Sequence, residues 1–147
     1  MHRCFALALV LCFMAAACGS GAAAPTEEHT GPATVEEVAG QEGIHRITLT
    51  PEAATRLGIE VAQVTAGPGG RTRVPYSALI YDADGAAWTY LVDGGPNVFI
   101  RHAVTVDEIV ADPGGDYVLL TAGPASGTSV ASVGVAELFG TEFEVGH

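Results

Sequence analysis

Apolar and polar residues alternate with a period of two along most of the chain from position 44 onward, the signature of strands with one face buried. Ile47 and Leu49 alternate with Arg46 and Thr48, which predicts a first strand. Ile59-Glu60-Val61-Ala62-Gln63-Val64 repeats the pattern and predicts a second. Between them lies Thr50-Pro51-Glu52-Ala53-Ala54-Thr55-Arg56-Leu57-Gly58. Thr50 suits an N-cap, Pro51 the first helical position and Glu52 the positive helix end, while Gly58 can close the helix left-handed. A two-turn helix is expected there.

After the break at Gly67-Pro68-Gly69-Gly70, a meander of short strands is expected. Val74 to Tyr81 reads as one strand with Pro75 near its start or at an edge. Asp82-Ala83-Asp84-Gly85 is a turn, and Trp88, Tyr90 and Val92 then alternate with Thr89 and Leu91. Further strands are predicted over Val98–Val106, extended by Ile109-Val110, then over Tyr117–Leu120 and Ser129–Val133, separated by Gly- and Pro-containing turns. Gly134 to Gly140 reads as a single helical turn. Strands at about ten-residue spacing imply a mainly β fold, a small antiparallel β-roll or barrel-like domain with one short helix.

The amino-terminal region is different. His2 and Arg3 precede an unbroken apolar run from Cys4 to Ala17. That run is shorter than the roughly 20 residues a membrane-spanning helix needs, and it suits the apolar region of a secretory signal. Ala15-Ala16-Ala17 before Cys18 is similar to a lipobox, so residues 1–17 are expected to be a signal peptide and Cys18 the lipidation site. A diacylglyceryl thioether plus an N-acyl chain supplies the two chains that stable anchoring requires. An ordinary cleaved signal that happens to precede a cysteine is the alternative. Residues 18–43, rich in Gly, Ala, Thr, Pro and Glu, read as a lipidated flexible linker, with a reach of about 25–30 Å if it behaves as a coil. Residues 44–143 are the expected β domain and 144–147 a tail. The expected location is the outer side of the cytoplasmic membrane or the periplasm.

Charge narrows the partners. Seventeen acidic residues face six basic ones, all arginine, for a net charge of −11. This argues against nucleic acid and against a cationic grip on anionic lipid. The three cysteines, Cys4, Cys12 and Cys18, all fall in or next to the signal. The body therefore has neither a disulfide nor a thiolate metal site to rely on, and its stability must come from a packed core.

Candidate chemistry is sparse. Gly123-Pro124-Ala125-Ser126-Gly127 lacks the spacing of a Gly-x-Ser-x-Gly elbow. Gly67 to Gly70 lacks the lysine of a phosphate loop, and Asp82 to Gly85 lacks the glutamate that closes a calcium loop. His29, His45, His102 and His147 are scattered; a His45–His102 pair across neighbouring strands is the one metal arrangement left open. Trp88, Tyr90, Phe99 and Tyr117 form either core or an aromatic platform, with core the simpler account. No catalytic residue, cofactor or metal ligand set is expected.

Three stretches together resemble a known family. They are Arg73-Val74-Pro75-Tyr76-Ser77-Ala78-Leu79-Ile80-Tyr81-Asp82-Ala83-Asp84-Gly85 with Trp88-Thr89-Tyr90-Leu91; Phe99-Ile100-Arg101-His102-Ala103-Val104-Thr105-Val106; and Val133 to Phe143. They are similar to the membrane-proximal segment of periplasmic adaptor subunits (membrane fusion proteins) of RND-type efflux pumps. Gly123 through Gly127 to Val130 resembles the family's glycine-spaced strand, and Ile47 to Ile59 resembles the segment that opens these adaptors. Full adaptors insert a lipoyl-like domain, a helical hairpin and a barrel between the two pieces; here only Ala66 to Arg71 joins them. The resemblance implies a non-enzymatic module whose partner is an RND-type transporter or its adaptor. A free-standing ligand- or metal-binding lipoprotein is the alternative.

Overall fold

The computed structural model describes residues 31–144. The signal peptide, Cys18 and His29 lie outside the described residues, as do residues 145–147 of the tail.

Ten antiparallel strands and two helices make up this region. The strands are β1 (Ala33–Glu37), β2 (His45–Leu49), β3 (Glu60–Gln63), β4 (Thr65–Ala66), β5 (Thr72–Pro75), β6 (Ile80–Tyr81), β7 (Ala87–Val92), β8 (Val98–Val110), β9 (Tyr117–Ala122) and β10 (Ser129–Val133). Helix α1 (Pro51–Leu57) follows β2, and α2 (Val135–Glu144) follows β10. The sheet runs β3-β10-β7-β8-β9-β5-β4. Since only Val64 separates β3 from β4, the order returns almost to its start and the sheet is a nearly closed barrel. Strand β2 adds to β8, β1 adds to β2, and β6 adds to β7.

Strand β8 serves two neighbourhoods. Its first half lies between β7 and β2, with Ile47 opposite Phe99 and Tyr90 opposite Arg101. Its second half pairs with β9, and the register shifts around Val106, where the strand changes partners. Such bulges let a strand bend and twist from one packing environment into another.

Two cores result, one on each face of the shared strands. Inside the barrel, Val64, Val74, Ala78, Val104, Val118, Leu120 and Val130 are buried together. On the opposite face Ile47, Leu49, Tyr90, Phe99 and Ala131 pack against Ala53 and Ala54 of α1 and Val135 and Leu138 of α2. Period-two alternation on β7 feeds both: Ala87 and Leu91 face the barrel, Tyr90 and Val92 the helices.

Local signals account for α1. The Thr50 hydroxyl accepts from the Ala53 N–H at 3.1 Å, Pro51 occupies the first turn, and Gly58 ends the helix at φ 65°. A cap of this kind contributes about 1 kcal/mol. Gly134, between β10 and α2, is also left-handed at φ 79°, and a Cβ there would collide with Ile59. The left-handed turn is what requires glycine, since the Ile59 methyl it would meet can move aside.

Three expectations change. First, Ala33–Glu37 lies inside the stretch read as linker yet forms β1, pairing all along β2 with Val35 opposite Ile47. The folded part therefore starts about ten residues before Ile44. Only Ala33 and Val35 contact the core there, too few apolar residues to stand out beside Glu36 and Glu37. Second, the strand expected over Val74–Tyr81 is split into β5 and β6 by a 3₁₀ turn at Tyr76–Ala78. Pro75 ends the ladder, Leu79 N–H bonds back to Tyr76, and Ala78 turns into the barrel core. Third, the single turn expected after Gly134 is a ten-residue helix, so the domain has two helices rather than one.

Candidate functional site

Helix α2 explains why a longer helix was hidden and where the chemistry sits. Val135, Leu138, Phe139 and Glu142 are spaced i, i+3, i+4 and i+7, one face of a helix. The first three are apolar and pack on the sheet. The fourth is a glutamate whose side chain has no exposure to solvent.

The sheet supplies its partners. The Tyr90 hydroxyl on β7 donates to Glu142 Oε2 at 2.6 Å. Arg101, directly across the ladder on β8, places Nε 3.2 Å from the same oxygen. That is ion-pair distance, but the N–H is not aligned on the oxygen and makes no hydrogen bond. Arg101 Nη2 donates instead to the Gly43 carbonyl at 2.8 Å. His45 Nδ1 on β2 lies a long 3.4 Å from Glu142 Oε1. These groups share one face because Tyr90 pairs with Arg101, Ile47 pairs with Phe99, and His45 and Arg101 lie two residues along their strands from Ile47 and Phe99.

Aromatic rings enclose the guanidinium. Arg101 Cζ sits 4.3 Å from the Trp88 ring centroid and 5.0 Å from that of Phe143. The Trp88 indole N–H in turn donates to Asp82 Oδ2 at 2.8 Å. Asp82 Oδ1 accepts from the backbone N–H groups of Asp84 and Ala86, closing the turn before β7. The polar centre thus links five elements: β2, β7, β8, α2 and the Asp82 turn.

Electrostatics follow from this packing. Burial, and then the bond to the Glu142 carboxylate, push the Tyr90 phenol far above its ordinary value. The Trp88 indole N–H holds the Asp82 carboxyl below its usual value against some desolvation, with the Ala86 and Asp84 amides adding to the effect. Tyr90 is therefore a fixed hydrogen-bond donor, and Glu142 an acceptor facing a permanent cation. Both groups are held in place by rigid elements, which suits a clamp between α2 and the sheet.

The sequence-derived candidates fare unevenly. His45 and His102 lie on neighbouring strands but on opposite faces, since His45 shares its face with Arg101 and His102 is one residue on; the structure does not bring them together. No group of three or more metal-ligating side chains occurs among the described residues. Tyr90 and Phe99 are core residues with no exposure. Trp88 and Tyr117 are half-buried and each carries an arginine on its face, Arg101 on Trp88 and Arg73 on Tyr117 at 3.6 Å. The Glu142 centre is not among the sequence-derived candidates. The one available signal was the i, i+7 relation of Glu142 to Val135, which becomes visible only once the helix is known to continue past Gly140.

No family model, curated protein or solved structure matches the chain. No helix among the described residues is long and apolar enough to cross a membrane.

Proposed function

We propose that this chain is a lipid-anchored, non-enzymatic interaction module, similar to the membrane-proximal domain of efflux-pump adaptors, that associates with an RND-type transporter or its adaptor and serves export across the membrane. In this reading Cys18 carries the acyl chains, and the β domain sits on the outer side of the cytoplasmic membrane.

One observation supports it above the others. The two stretches that resemble the opening and closing segments of adaptors are adjacent in the sheet: β2 pairs with β8, and β3 pairs with β10 through Ala62 opposite Val130. The short Ala66 to Arg71 connection takes the place of the inserted domains, with Gly67 N–H bonded to the Arg71 carbonyl across the turn. A domain closed in this way can fold without the insert and still present the adaptor-like surface. The buried clamp on α2 fits the same role, since a docking module needs a rigid surface more than a reactive centre.

Crosslinking in intact membranes, followed by purification of the full chain, tests the reading. Recovery of a transporter or adaptor subunit is the expected result, together with transfer of Cys18→Ala protein from the membrane to the soluble fraction. Consistent recovery of the chain without any transporter component would contradict the reading, and membrane retention of Cys18→Ala would contradict the anchor.

A further inference from the structure

An apolar cleft of ≈ 180 Å³ opens between α1, β1 and the last turn of α2. Leu49 and Ala53, both buried, lie along it with Leu57, Ala33, Thr141 and Arg56. The room comes from small side chains, Ala33 on the strand and Ala53 on the helix. An apolar cavity of about 150 Å³ admits benzene, so this one accommodates roughly six carbons.

Arg56 gives the cleft a polarity. Of the arginines at positions 46, 56, 71, 73 and 101, four are engaged. Arg46 pairs with Asp93, Arg71 with Asp107, Arg101 with Glu142, and Arg73 stacks on Tyr117. Among the described residues Arg56 alone makes no ion pair and no aromatic stack. It is exposed in the last turn of α1, where the helix dipole favours a cation. Glu52, one turn earlier, lines the adjoining surface with it. That carboxylate, on a chain of net charge −11, disfavours a head group with more than one negative charge.

We infer that this cleft binds the alkyl end of a monoanionic amphiphile, of which a free medium-chain fatty acid is the simplest, with its carboxylate accepting from Arg56. The apolar walls of the cleft take the chain and the Arg56 guanidinium takes the head. The inference does not rest on the transporter reading, because the cleft, its small residues and Arg56 stand whatever the protein docks on.

Methyl-resolved NMR titration of the full chain with sodium octanoate below its micelle concentration tests it, with octanol and octyltrimethylammonium in parallel. Saturable shifts centred on Leu49, Ala53 and Leu57 are expected for octanoate. Arg56→Gln should weaken octanoate about tenfold, the scale of one lost charge-assisted contact, and leave octanol unchanged. Ala53→Leu fills the cleft from the helix and Ala33→Leu fills it independently from the half-buried edge strand; each should abolish both ligands while shifts elsewhere stay wild type. If Ala53→Leu does not fold, Ala33→Leu decides. Undiminished binding in the filled variant, octanoate affinity indifferent to Arg56→Gln, tighter binding of the ammonium compound, or a response to phosphatidylglycerol vesicles without one to octanoate would each overturn the inference.

Discussion

The two cores of this domain are built from the same strands by different means. The barrel interior is filled with Val, Leu and Ala from five strands, the 3₁₀ turn and Val64 between β3 and β4. The opposite core is just as well buried at Ile47, Tyr90 and Phe99, yet a carboxylate, a phenol and a guanidinium sit at its edge beneath α2. Apolar packing is non-directional and tolerates volume-conserving change. A buried ion pair is directional, and it fails badly when half of it is removed. The barrel thus supplies adhesion, and the polar centre fixes where α2 lies.

Mutations sharpen that contrast. Arg101→Leu should be the most damaging, because it strips the fully buried Glu142 carboxyl of its cation; a loss of about 3–5 kcal/mol in urea unfolding is expected. Adding Glu142→Leu to that variant should restore much of the loss, and a double variant as unstable as the single one would refute the clamp. In the barrel, Leu120→Ala removes a fully buried side chain and should cost about 3 kcal/mol through lost contacts and a cavity. No second substitution on α2 should rescue it.

Tyr90→Phe removes the hydroxyl alone and should cost about 2 kcal/mol by stranding one carboxylate oxygen. It should also change the pH dependence. The folded phenol is raised above the ordinary value of 10.0. Stability from this group is therefore intact below that pH and is lost as pH rises above it, since the unfolded tyrosine then gives up its proton while the folded one does not. The wild-type urea midpoint should decline above about pH 10, and Tyr90→Phe should show a shallower decline. The smallest effect is expected at Thr89, whose buried hydroxyl has no hydrogen-bond partner. Thr89→Val should stabilise the domain by about 1 kcal/mol, seen as a higher melting temperature.

The same contrast governs what could be read from the chain before folding. Alternation along Trp88–Val92 and Val98–Val106 exposes the barrel strands, because each position has only two faces to choose from. The caps at Thr50 and Gly58 expose α1. Strand β1 escapes because only Ala33 and Val35 reach the core, the rest of the edge being solvated. Pro75 looked tolerable near a strand start, but it ends β5, where Tyr76 N–H leaves the ladder and bonds to the Asp116 carbonyl. The polar centre was least legible. Its members come from positions 45, 90, 101 and 142, and a charged residue on the buried stripe of α2 breaks the very periodicity by which helices are recognised. Nothing in the sequence singles out Arg56; only the folded chain places it beside an apolar cleft.

Native-state hydrogen exchange tests the central claim, that residues 44–66 and 73–133 form one cooperative sheet. The amides of β2 bonded to β8, and of β3 bonded to β10, should open with the same free energy and denaturant dependence as those of β7 and β9. Exchange of β2 and β3 at markedly lower free energy, while β7 to β9 stay protected, would mean that the two segments are only loosely joined and that the adaptor-like domain is not closed.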